Sequence, residues 1–181
     1  MTYAPHLRWA PQTTLLILGH GRHGKDTVAE IMRDDFGLQY ESSSWAAAES
    51  VCRPYLEKKG LSYPTLEACY ADRHNYRELW HQAIAEYNRE DPAKLARDII
   101  RKGPVYVGMR SHREYRASKH LFGLTIWVDA FGRQPPESKE SFNIDRSVAD
   151  VIIDNSEIDP TNEILRERVR RLMVALGYRK R

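Results

Sequence analysis

The stretch Leu15–Met32, LLILGHGRHGKDTVAEIM, constrains the fold more than any other part of the 181-residue chain. Four apolar residues, Leu15 to Leu18, run into Gly19, and Val28, Ile31 and Met32 recur at helical spacing beyond it. This pattern predicts a buried strand, a glycine loop and a helix. Between strand and helix stand Gly19, His20, Gly21, Arg22, His23, Gly24 and Lys25, a G-x-x-x-x-G-K run in the setting a phosphate-binding loop requires. Glycines let successive backbone N–H groups turn inward around phosphate oxygens, and the helix N-terminus adds partial positive charge. Lys25 reaches the terminal phosphates. A nucleoside triphosphate is therefore the expected guest, held by Gly19 to Thr27. The competing reading, an incidental glycine-rich turn, is disfavoured by the strand-loop-helix setting.

Asp26 stands where Ser or Thr would supply the usual magnesium hydroxyl, with Thr27 displaced by one position. Its carboxylate is a hard oxygen ligand that can hold Mg2+ directly or through water. It can equally just favour the first helical turn, where a carboxylate meets the positive end of the helix dipole. The two readings weigh evenly.

A chain of this length suggests one domain, spanning 1–181, by the prior of roughly 100–200 residues per domain. Lys and Arg exceed Asp and Glu by only 28 − 25 = 3. Much of that excess lies in Arg166, Arg168, Arg170, Arg171, Arg179, Lys180 and Arg181, which read as a solvated helix face. Nucleic acid is not the expected partner, because aromatic interleaving is almost absent from that run. Cys52 and Cys69 form neither a CxxC pair nor a disulfide framework, which points to a reducing cytoplasm. The N-terminal residues lack an apolar signal region, and Leu15–Leu18 is far too short for a membrane span.

Residues 1–14, with Pro5 and Pro11, read as an irregular arm. The helix from Lys25 should stop at Phe36-Gly37, and a second strand is expected around Gln39 to Glu41. The serines Ser42 to Ser44 suit a helix N-cap, and the helix through WAAAESVC should be interrupted at Pro54. From Ser62 to Lys102 the pattern is almost wholly helical, with Asp91-Pro92 as a cap and first-turn proline. Val105–Met109 is the third strand candidate, His112–Phe122 a helix and Leu124–Val128 the fourth strand. Asp129–Asn143 lacks periodicity and reads as a loop, Asp150–Ile153 as a fifth strand, and a final amphipathic helix follows Asp159-Pro160. Strands alternating with helices imply an α/β fold, a parallel sheet covered on both faces, with ligands at the strands' carboxyl ends.

A phosphate loop alone does not separate kinases, switch GTPases and motor ATPases. The guanine-reading N-K-x-D is absent, and Asp129-Ala130-Phe131-Gly132 spells D-x-x-G without the other parts of that motif. Taken together, GHGRHGKDT, Ser44 before an alanine-rich helix, VGMRSHREY with Arg110 and Glu114, and ADVIIDN before the terminal helix resemble the phage-type deoxynucleoside monophosphate kinases. These belong to the wider P-loop nucleoside monophosphate kinase group. The resemblance implies a P-loop NTPase three-layer sandwich on a five-stranded parallel sheet, a helical substrate-binding insertion (45–102) and a lid-like loop (129–146). It also implies ATP and Mg2+ as cofactors, transfer of the γ-phosphoryl of ATP to a deoxynucleoside monophosphate, and host cytoplasm as the compartment if the source is viral. A homodimer stays open.

Under that resemblance Lys25 neutralises the β- and γ-phosphates. Arg110 grips the acceptor phosphate or the transferring group, since a guanidinium fork matches phosphate oxygens. Arg133 is the lid cation, with Lys139 and Arg146 as competitors. Ser44, Trp45, Arg73 and Arg77 are acceptor-site candidates. Arg73 and Arg77 are four apart on one expected helix face, although a solvated or salt-bridged face explains them as well. Trp80 is a further acceptor-site candidate, although core is a commoner role for such a residue than a base-stacking platform. Glu114 either orients an arginine or is plain helix surface. His20 and His23 form no metal site and are expected to touch phosphate or solvent. The family's third strand often ends in an aspartate, where this chain has Gly108 and Met109. Asp26, or Asp129 after LTIWV, would have to replace that carboxylate. Other acceptors (dephospho-coenzyme A, a modified base in DNA) and a non-catalytic nucleotide-binding role are the alternatives.

Overall fold

Residues 13–139 and 142–181 are described by a computed structural model, so the expected N-terminal arm lies almost wholly outside the described residues. Among the described residues five strands form one sheet: β1 (Leu15–Leu18), β2 (Tyr40–Ser42), β3 (Val105–Val107), β4 (Leu124–Asp129) and β5 (Val151–Asp154). Their order is β2-β3-β1-β4-β5 and every neighbouring pair is parallel. Leu16 lies opposite Tyr106 on one side and Thr125 on the other, which fixes the register of the central strand.

Alternation along β1 divides the core in two, because successive strand residues face opposite sides of a sheet. Leu15 and Ile17 pack with α1 (Lys25–Phe36) and α8 (Glu163–Ala175). Leu16 and Leu18 pack against α2 (Ser43–Ala47), α3 (Arg53–Lys58), α5 (Arg77–Tyr87) and α6 (Lys94–Lys102), joined by Tyr106 and Trp127. The short α4 (Leu66–Ala71) contributes Cys69 to this second cluster. Helices on both faces of a parallel sheet make the expected three-layer α/β sandwich. On the first face Asp35 receives Arg166 at 2.9 Å and Arg170 at 2.7 Å, clamping α1 to α8. Part of the basic C-terminal run is therefore spent on packing rather than on solvent.

Two local expectations are corrected, at Pro54 and at Arg73 with Arg77. Pro54 does not interrupt the helix that follows β2: residues Ala48–Cys52 widen into a π-turn between α2 and α3, and Pro54 sits in the first turn after it. A wider turn changes which carbonyls need donors, so a residue without an N–H can be admitted. Ser42, one of the three serines expected to suit an N-cap, caps α2, accepting from the Trp45 N–H at 3.2 Å. Arg73 and Arg77 do not share a helix face. Arg73 lies in a 3-10 turn, Asp72–His74, and α5 starts only at Arg77. The break is held by Asn75, whose amide donates to the Asp72 carboxylate at 2.6 Å.

Candidate functional site

The loop between β1 and α1 turns over the carboxyl ends of β1, β3 and β4. Gly24 has φ 94°, and a Cβ there would collide with the Asn155 amide that donates to the His23 carbonyl at 2.9 Å. Only glycine fits that approach. Arg22 also takes a left-handed conformation, φ 63°, with an exposed side chain. The Lys25 ammonium curls back to the His20 carbonyl at 2.7 Å. Burial lowers the Lys25 pKa to about 8, with Arg110 acting in the same direction and Asp26 and Glu137 opposing.

One carboxylate stands in the middle of this loop. Glu137 Oε2 accepts the Gly21 N–H at 2.6 Å, Oε1 accepts Arg110 Nη1 at 2.8 Å, and Arg77 Nη2 is 3.8 Å away. Burial alone would raise this carboxyl, but the Arg110 hydrogen bond and charge, the Gly21 N–H and Lys25 hold it below its ordinary value. Two guanidinium groups, a loop amide and the Lys25 charge thus converge on one oxyanion. That is the donor set a phosphoryl group requires.

The segment carrying Glu137 is tied to the loop through both loop histidines. The Ala130 N–H donates to His23 Nδ1 at 3.0 Å and the Glu137 N–H donates to His20 Nδ1 at 3.1 Å. His23 is fully buried, and its Nε2 has no partner among the described residues. For the buried His23 the expectation of a ring that meets phosphate or solvent is corrected, and both rings offer an Nδ1 lone pair to a backbone amide of this segment. Burial foremost, with the Lys25 charge acting the same way, lowers the His20 pKa, which favours a ring whose Nδ1 can accept. Sequence gave no sign of this pairing, since the partners lie more than a hundred residues apart.

Arg110 follows β3, and Gly108 before it has φ 91°, with a Cβ that would press on Ser43 Oγ at 3.2 Å. Ser43 Oγ also donates to the Gly108 carbonyl at 2.9 Å. The missing aspartate thus has a steric reason: an L side chain at 108 meets both a left-handed backbone and a serine. Beyond Arg110 a cavity of about 320 Å³ opens between the end of β3, α5 and α7 (His112–Ser118), lined among others by Ser43, His81, Asn88, Tyr106 and Glu114. Glu114 is buried and accepts the Tyr106 hydroxyl at 2.8 Å, so it is neither surface nor seen orienting an arginine. Burial raises its pKa to about 7. His81, also on this cavity, is lowered by burial and by Arg77.

Other expected site residues are engaged elsewhere. Arg133 Nε donates to the Asn155 carbonyl at 2.6 Å, at the end of β5. Arg73 Nη1 donates to the Tyr70 carbonyl at 2.9 Å, with its guanidinium 4.0 Å over the Tyr70 ring. Ser44 shares hydroxyl hydrogen bonds with Ser42 (3.0 Å) and Tyr70 (3.2 Å), and Trp45 stacks edge-on against Tyr70. Asp129 accepts the Phe131 N–H at 2.9 Å and Arg146 at 3.1 Å, whereas Asp26 is exposed in the first turn of α1 with Thr27 half-buried behind it. Among the described residues no group of three or more His, Cys, Asp or Glu side chains could hold a metal ion by itself. No helix among them is long and apolar enough to cross a membrane.

No protein-family model and no curated protein matches this chain. Solved structures similar to it include an unliganded sugar kinase from Janibacter sp. HTCC2649, at 12% identity over 93% of this chain and 96% of that chain, with a TM-score of 0.46. A shikimate kinase from Aquifex aeolicus vf5 matches at 16% identity over 90% of this chain and 95% of that chain, with a TM-score of 0.44.

Proposed function

We propose that this chain is an ATP-dependent kinase that transfers the γ-phosphoryl group to a deoxynucleoside 5′-monophosphate. The observation that carries the reading is the convergence of the Gly21 N–H, Arg110, Arg77 and the Lys25 charge on a single oxyanion position. In this reading an oxygen of the acceptor phosphate attacks the γ-phosphorus and the bond to the β–γ bridging oxygen breaks. ADP leaves with that electron pair. Such transfer depends on positioning and charge neutralisation, so cations matter more than an acid–base pair. Lys25 and the loop amides neutralise the donor side. Arg110 spans from donor to acceptor, and Arg77 joins it from α5.

The cavity beyond Arg110 suits the acceptor, because its volume falls within the usual range for small-molecule sites and its lining mixes apolar walls with a few polar groups. Magnesium, when bound, would screen the phosphate oxygens. Mg2+ is commonly held by one or two carboxylates together with substrate phosphates, which fits Asp26 beside Lys25. The test is ADP release in a coupled assay with each common deoxynucleoside monophosphate as acceptor. Turnover with at least one of them, abolished by Lys25→Ala, is the expected result. ATP binding without release on any acceptor would contradict the reading.

A further inference from the structure

We propose that Glu137 is an internal ligand of the phosphate site: its carboxylate occupies the place of the transferring phosphoryl group, and an incoming phosphate chain must displace it. This rests on the phosphate-loop reading and adds to it a self-occupied resting state.

The contacts of Glu137 are those of a bound anion rather than of a surface side chain. One oxygen takes a loop amide at 2.6 Å, the other a guanidinium at 2.8 Å, and a second guanidinium lies at 3.8 Å. The carboxyl carbon and both oxygens lie 3.2 to 3.4 Å from where a Cβ on Gly21 would stand, an approach that a side chain there would crowd. A phosphoryl oxygen and this carboxylate therefore exclude each other. The segment from Ala130 to Glu137 is fixed so as to deliver the group: its first amide bonds to His23 and its last to His20. Turn bonds from the Arg133 and Gln134 amides to the Ala130 carbonyl, both 2.9 Å, set the spacing between those two anchors.

The physical reason for such a device is the cation cluster itself. Lys25, Arg110 and Arg77 repel one another when no anion is present, and like charges at close range in a partly buried site are destabilising. Glu137 supplies the missing negative charge in the resting protein. The same contacts then raise the threshold for binding, since only a ligand with more charge and more acceptor oxygens than one carboxylate gains on exchange. Glu137 thus biases the site toward polyphosphate chains over weak monoanions.

Removing the carboxylate should lower stability without ligand and raise affinity for phosphate, a pair of opposite effects that a merely structural glutamate does not produce. The experiment is calorimetric titration of inorganic tripolyphosphate into the full chain, with Glu137→Ala, Glu137→Gln and Asp145→Asn as variants. Asp145→Asn removes one negative charge from the same stretch of chain without touching the loop. Charge-assisted hydrogen bonds are strong enough that Glu137→Ala should bind about tenfold tighter or more, with Asp145→Asn within about twofold of the parent chain. Glu137→Gln, which keeps the shape, should also bind tighter and decides the matter if the alanine variant does not fold. Equal or weaker binding by the Glu137 variants, while the parent chain binds, overturns the proposal and leaves the phosphate loop intact. An equal gain in Asp145→Asn overturns it as a general field effect. No binding by any of the chains overturns this proposal and the phosphate-loop reading together.

Discussion

Two carboxyl groups flank Arg110, and their surroundings are opposite. Glu137, on the phosphate-loop side, sits among two guanidinium groups, an amide and the Lys25 charge, and is held below its ordinary pKa. Glu114, on the cavity side, is buried, accepts the Tyr106 hydroxyl and is pushed up by burial to about 7. The first region is a site for charge. The second is a half-neutral pocket where hydrogen bonding rather than Coulomb attraction would orient a guest. The difference gives one strand end two environments, with Arg110 at the boundary between the oxyanion position and the cavity.

The comparison breaks most easily at Lys25. Lys25→Ala should lower turnover by about 10³-fold while leaving the fold intact, the scale of removing one oxyanion stabiliser, and far-UV circular dichroism beside the coupled assay checks both halves. Unchanged turnover would remove the loop from the chemistry.

Glu114 gives the next largest effect, on stability. Its unfolded pKa lies near the ordinary 4.5 and its folded pKa near 7, so between those values the folded chain holds a proton the unfolded chain has lost. Stability from this group therefore falls as pH rises from about 4.5 to about 7, by up to about 3 kcal/mol, and is flat above. Glu137 has the opposite sign, since its share is lost only as pH falls through its lowered pKa. Urea titrations from pH 4.5 to 8 should show a shallower decline for Glu114→Gln than for the parent chain, and identical slopes would contradict the buried-carboxyl account.

Arg110→Ala should cost about 10²-fold in kcat/KM, and Arg77→Ala, more exposed and farther from the oxyanion, about tenfold or less. The ratio of the two measures how sharply the charged side ends at Arg110. Arg73→Ala should change kcat/KM by less than about twofold, because its guanidinium is spent on Tyr70. A large loss there would place the acceptor phosphate nearer α4 than the cavity geometry indicates.

The sheet was legible in the sequence because its signals are local. Apolar runs of four to six residues ending in Gly19, Gly108 or Asp129 mark strand ends directly. The phosphate loop was legible for the same reason, since its geometry is coded by glycines at fixed offsets. What stayed hidden depends on residues far apart in the chain. Glu137 carries no motif, and its role arises only when the segment after β4 folds back over residues 20–21. His20 and His23 read as generic rings until the amides of Ala130 and Glu137 meet them. Arg73 and Arg77 misled because helical periodicity does not register the short turn at Asp72–His74. The π-turn before Pro54 escaped because it adds no residue type that a helix would reject.

The most direct measurement is a crystal structure of the full chain with a non-hydrolysable ATP analogue and Mg2+. The expected result is the terminal phosphoryl between the Gly21 N–H, Lys25 and Arg110, with the Glu137 carboxylate moved out of that position. An analogue bound away from residues 19–27, with Glu137 still on Gly21 and Arg110, would contradict both the phosphate site and its shared occupancy.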